Sequence, residues 1–104
     1  MIVQFNTDHN IEGSEGMASH FEATEKELLA RFDEDVTRVE IFLKDLNADK
    51  GGANDKRCKL EARVKGMDPL LASHDDDSVH KAVKGAADKM KHILTKLFDK
   101  KASH

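Results

Sequence analysis

The chain has 104 residues, with 17 Lys and Arg against 20 Asp and Glu for a formal net charge of −3, and this length matches one domain of roughly 100–200 residues, so a single domain over residues 1–104 is expected. With 38% hydrophobic and 36% charged residues the sequence is too apolar for a disordered segment; lacking Trp and Tyr, it must build its core from aliphatic side chains, five Phe and four Met. No apolar run nears the roughly 20 residues of a membrane span, the N-terminus lacks the basic and apolar stretches of a signal peptide, and the lone Cys58 can close neither an intrachain disulfide nor a thiolate metal cage; the expectation is a cytoplasmic protein in a reducing compartment.

Residues 1–6 set Val3 and Phe5 on one side and Ile2 and Gln4 on the other, the period of two of a short strand. After a polar turn through Asp8, His9 and Asn10, Ser14 is placed to cap a helix that runs to about Phe32. Its apolar stripe is Met17, Phe21, Leu28 and Phe32, with Ala18 and Leu29 at the edge. Alternation returns over 36–46, where Val39, Ile41 and Leu43 face inward. The polar segment 47–54, with Gly51 and Gly52, reads as a mobile connection. A third strand follows with Cys58, Leu60, Ala62 and Val64 inward. A turn over 66–69 leads to a short fourth strand over 70–74, with Leu70, Ala72 and His74 inward.

The last element is a long amphipathic helix, because Val79, Val83, Ala86, Met90, Ile93, Leu94 and Leu97 recur at three- and four-residue spacing. The order β-α-β-β-β-α implies an α+β fold: a mostly antiparallel four-stranded sheet with both helices on one face and the other face open.

Charge is unevenly placed. Residues 77–104 hold seven Lys and three Asp, a sum of +4, so residues 1–76 carry −7. On the last helix Lys89, His92, Lys96 and Lys100 form one stripe and Lys81, Lys84 and Lys91 a second, with Asp88 among them; such rows can track phosphates, although lysines are also what any solvated helix face carries. The outer sheet face adds Arg38, Lys44, Arg57, Lys59, Arg63 and Lys65 against Glu40 and Glu61, interleaved with Ile2, Phe42 and Leu71. That mixture suits either single-stranded RNA or a homodimer interface.

Six histidines raise the question of a metal, and His74, Asp75, Asp76, Asp77 and His80 lie close in sequence. Aspartates just before a helix are accounted for by capping and dipole effects, and no spacing puts two imidazoles on one helix face, so no metal site is expected. Cys58 at an inward strand position reads as a small core residue. No nucleophilic triad, P-loop or dinucleotide fingerprint occurs, and no enzymatic activity or cofactor is expected.

The residues resemble the ribosome hibernation-promoting factors and ribosome-associated translation inhibitors, also called sigma-54 modulation proteins, over nearly the whole chain. The likeness rests on Thr7-Asp8-His9-Asn10-Ile11-Glu12 after the first strand, Arg31-Phe32-Asp33, Val39-Glu40-Ile41-Phe42-Leu43, and the segment from Ala82-Val83 through Asp88-Lys89-Met90-Lys91-His92. Most specific is the run from Lys50-Gly51-Gly52 through Asp55-Lys56-Arg57-Cys58 to Arg63, similar to a branch of short, single-domain members.

The resemblance implies a β-α-β-β-β-α fold akin to the double-stranded RNA-binding domain. It also implies binding to ribosomal RNA of the small subunit in the tRNA and mRNA channel, and inhibition of translation in stationary or stressed cells. Basic family positions are kept at Arg31, Lys89 and Lys96 and conservatively at His92, whereas Ala18, Thr24, Glu27 and Ala30 stand at positions often basic and His80 where Tyr is frequent. The extension that dimerises ribosomes in long members is expected to be absent. The RNA-binding set read from the sequence is thus Arg31, Lys81, Lys84, Lys89, Lys91, His92, Lys96 and Lys100, with Arg57 and Arg63 on the sheet. The alternative is a sheet-mediated dimer or adaptor without ribosome affinity.

Overall fold

The computed structural model describes residues 1–7, 15–46 and 55–102, and side chains for all of these except Glu15 and residues 100–102. The expected turn through Asp8, His9 and Asn10, the Ser14 cap and the 47–54 connection lie outside the described residues. The elements are β1 (Ile2–Thr7), α1 (Glu15–Leu28), a 3-10 turn (Ala30–Phe32), β2 (Val36–Asp45), β3 (Lys56–Val64), β4 (Leu70–Asp76) and α2 (Val79–Ala102). The four strands lie in the order β1-β2-β3-β4. β1 pairs with β2 in parallel, and the other two pairings are antiparallel.

Alternation fixes which side of the sheet is covered. Val39, Ile41 and Leu43 of β2 and Cys58, Leu60, Ala62 and Val64 of β3 are all buried, and they meet Phe21 and Leu29 from the first helical segment and Val83, Ala86, Met90 and Leu94 from α2. α1 packs over β1, while α2 lies across β3 and β4. With 24 residues, α2 is about 36 Å long at 1.5 Å per residue, and it extends the molecule to 52 Å in its longest dimension.

Three details differ from the sequence reading. The first helix ends at Leu28 rather than near Phe32, because Leu29 leaves helical geometry with φ −106° and ψ 12° and the chain tightens into the 3-10 turn. That turn buries Phe32, whose ring stacks on Phe98 of α2 at 5.7 Å. β4 continues two residues further, to Asp76, and its His74 is half-buried. Leu97, expected in the core, is also half-buried.

Two glycines have defined roles. Gly66, with φ 74°, closes the turn between β3 and β4, where Met67 N–H donates to the Val64 carbonyl at 3.2 Å. Gly85 lets α2 descend onto β4: a Cβ there would lie 2.1 Å from Cδ2 of His74.

The core prediction follows from Leu60 and Met90, both fully buried at the centre of the sheet–helix contact. Leu60→Ala and Met90→Ala should each cost about 2–5 kcal/mol through lost burial and a residual cavity, read from urea unfolding curves.

Candidate nucleic-acid interface

A helix packed on one side must point its other residues outward, and α2 presents Lys81, Lys84, Lys91, His92 and Lys96 there, all exposed. Lys81 pairs with Asp77 at 3.1 Å and Lys84 with Asp88 at 3.8 Å. Such solvent-exposed pairs are worth at most about 1 kcal/mol. Lys91, His92 and Lys96 have no ion pair among the described residues. Lys89, at the flank of α2 over β4, turns back to the sheet and donates from Nζ to the Ser73 carbonyl at 2.8 Å. Arg31 is tied into the same layer, paired with Asp99 at 3.1 Å and stacked over the Phe32 ring at 5.0 Å. Lys100 lies in the last turns of α2, with its side chain outside the described residues.

Arg57 and Arg63 lie on the far side of the sheet. Arg57 holds Asp75 across the β3–β4 register with two hydrogen bonds of 2.8 and 3.0 Å. This pairing holds the Asp75 carboxyl below the usual carboxylate range and raises the Arg57 guanidinium. Arg63 meets Glu61 at 3.6 Å, and Arg38 lies 3.8 Å from Glu40 and bonds to Gln4. The candidate cations therefore form two sets on opposite faces of the molecule. On the sheet the three arginines are matched by acids, whereas Lys44, Lys59 and Lys65 of that face, like Lys91, His92 and Lys96 of α2, have no ion pair among the described residues.

Register also separates the apolar residues of the outer face. Ile2 pairs with Arg38 and Leu71 with Glu61, on the two outermost strands. Those strands are about 14 Å apart, three spacings of about 4.8 Å, and Phe42 sits between Asn6 and Lys59.

Between the helices the structure brings together groups that the sequence keeps 60 positions apart. His20 of α1 and His80 of α2 meet with ring centroids 5.5 Å apart, and both lie against Phe21, at 5.2 and 5.1 Å. Beside these rings runs a groove of about 290 Å³, floored by Leu28 and Val83. Among the described residues no three potential metal ligands gather: His74 contacts Asp76 at 3.0 Å instead, and Asp76 is held below the usual range by the Asp77 amide and then by His74.

A model of the Sigma 54 modulation protein / S30EA ribosomal protein family matches residues 5–102. The chain belongs to this family. Among solved structures it is similar to the N-terminal domain of Thermus thermophilus Protein Y, with TM-score 0.72 and 13% identity over 93% of this chain and 99% of that one. It is likewise similar to a ribosomal subunit interface protein from Coxiella burnetii, with TM-score 0.68 and 15% identity over 95% and 99%. At such identities the likeness speaks for the fold, which is the α+β arrangement expected from periodicity. No curated protein matches the chain.

This S30EA-family chain also buries an acid that the sequence reading passed over. Glu25 is fully buried, and neither carboxyl oxygen has a hydrogen-bond partner among the described residues. Burial, with Asp88 nearby as a smaller influence, pushes its pKa up to about 8. Burial and then Glu25 push the Cys58 thiol up to about 12. The signal was available, since Glu25 falls four residues from both Phe21 and Leu29 on the buried stripe.

The unfolded chain releases the Glu25 proton near pH 4.5 and the folded one near 8, so over that interval the native state binds the extra proton. Glu25 therefore favours folding fully below about pH 4.5, and this contribution is lost as pH rises toward 8, at up to about 1.4 kcal/mol per unit. Urea unfolding from pH 5 to 8 should give a declining stability for the wild type relative to Glu25→Gln.

Proposed function

We propose that the protein is a ribosome-associated translation inhibitor that binds ribosomal RNA of the small subunit in the tRNA and mRNA channel and blocks it sterically in stressed or stationary cells. The reading combines membership of the family with one geometric observation. Lys91, His92 and Lys96 project from the solvent-facing side of a single helix and have no ion pair among the described residues. Phosphates can also displace the weak exposed partners of Lys81 and Lys84. Net charge of −3 gives no general attraction to RNA, so local patterning on α2 must supply it. The name of one similar structure, a ribosomal subunit interface protein, points the same way. The reading needs neither catalysis nor a cofactor, and it assigns the protein to the cytoplasm.

The rival, a dimer or adaptor joined through the outer sheet face, has exposed Ile2, Phe42 and Leu71 in its favour. Their separation by Arg38, Glu40, Glu61 and Lys59 leaves it without a continuous apolar patch.

Sedimentation with purified small subunits over a salt series tests the proposal. With about four cations on phosphates, log affinity should fall against log salt with a slope of about −3 to −4. The double variant Lys91→Glu/Lys96→Glu should no longer sediment, and Glu27→Lys on the exposed face of α1 should bind more tightly. Loss of binding with Arg57→Glu/Arg63→Glu instead would make the sheet the binding face, and indifference to both pairs would favour the dimer or adaptor.

A further inference from the structure

Exposed histidines on a solvated helix ordinarily rotate freely. His20 and His80 do not stand alone: they cover the buried Phe21 ring and each other at interplanar angles of 58 to 64°. No ring nitrogen of either residue has a hydrogen-bond partner among the described residues. The result is a pair of outward imidazole surfaces, held in place by a core residue, at one wall of the groove between α1 and α2. At about 290 Å³ the groove lies at the small end of ligand sites. It has room for one planar heterocycle and leaves a sugar and phosphate outside.

The rim has matching chemistry. Asp88 offers a carboxylate that can accept a hydrogen bond from an exocyclic amine, the way an acid reads the amino group of cytosine. Lys84, 75% exposed and only loosely paired with Asp88, can reach a phosphate at the mouth. Lys81 and Lys91 lie on the same outward side of α2. A small groove whose rim carries a carboxylate and an ammonium beside two imidazoles suits a nucleotide better than an apolar peptide side chain. Unpaired RNA bases are recognised by stacking on aromatic or histidine rings together with hydrogen bonds to their edges.

We propose that the groove between α1 and α2 captures one unstacked, amine-bearing RNA base, with one of the His20 and His80 imidazoles beneath its face and the other at its edge, Asp88 as acceptor and Lys84 on the adjoining phosphate. This inference rests on the reading that the helical face meets ribosomal RNA, and it adds a base-specific contact to an otherwise electrostatic surface.

The test uses the full chain and follows imidazole C–H resonances during titration with a short oligocytidylate and with an abasic ribose-phosphate chain of equal length. His20 and His80 should both show saturable ring-current shifts with oligocytidylate, upfield at the ring that lies over the base face, and the abasic chain should bind at least about tenfold more weakly. His92, on the same helix face outside the groove, should respond alike to both. Equal affinity for the two chains, or shifts at His92 alone, overturns the proposal.

In a second arm, His20→Ala/His80→Ala should weaken small-subunit binding about tenfold with the salt slope unchanged, and unchanged affinity overturns the proposal. If the variant weakens subunit binding while oligocytidylate leaves both rings unmoved, the groove receives a protein side chain and the base proposal falls. If the wild type fails to sediment with subunits, the ribosomal reading fails, and the oligonucleotide titration still decides whether the groove takes a base.

Discussion

One constraint organises the molecule: β2 and β3 bury all their apolar side chains except Phe42 on the same face of a four-stranded sheet. Val39, Ile41, Leu43, Cys58, Leu60 and Ala62 leave no apolar surface of comparable extent on the other side, so α1 and α2 must both pack on that one face. The rest follows from this asymmetry. α2 is anchored along one side by Val83, Met90 and Leu94 and must turn Lys81, Lys84, Lys91 and Lys96 away from the sheet, while Lys89 at its flank reaches back to Ser73. The arginines of the strands emerge on the opposite face, where the β3–β4 register brings Asp75 against Arg57 and the two-residue repeat along β3 places Glu61 beside Arg63.

Electrostatics then distinguishes the two faces more sharply than a count of charges does. On the sheet, Arg57 is locked in a two-pronged bond whose disruption would expose an unpaired carboxylate. On α2, Lys91, His92 and Lys96 have no ion pair among the described residues and Lys81 and Lys84 are only loosely paired. All five share one helix, so a polyanion can gather them with little reorganisation, whereas Lys44, Lys59 and Lys65 of the sheet are interleaved with paired arginines. The seam between the helices is built differently again. The His20, Phe21 and His80 rings lie at the groove, while the neutral acid Glu25 lies buried within the core. A buried carboxyl without a partner is costly, and here it coexists with an otherwise apolar core.

Much of the architecture was legible from spacing alone. The seven apolar positions of α2 and the strict alternation of β2 and β3 are strong signals because one period persists over many residues. The end of the first helix was not legible, since Phe32 continues the helical spacing even though the chain reaches that burial through a 3-10 turn after Leu29. Glu25 was legible by position but masked by its charge. The face of each site residue could be read from periodicity, yet alternation says nothing about lateral neighbours. Only the strand order and register reveal that Ile2 and Leu71 lie on opposite outermost strands, and only the packing of α2 on β4 reveals that Lys89 is engaged by Ser73. The meeting of His20 with His80 depends on how two distant helices pack, for which no local pattern exists.

The central claim is that the helical face, not the sheet, meets the RNA of the small subunit. Directed hydroxyl-radical cleavage tests it most directly, with an iron chelate tethered at Lys91→Cys or, on the sheet, at Lys59→Cys. The native Cys58 is fully buried with its thiol pushed up to about 12, so it stays unlabelled. Strong cuts in RNA lining the tRNA and mRNA channel from position 91 and weak ones from position 59 are the predicted result; strong cuts from position 59 with none from position 91 would contradict the account.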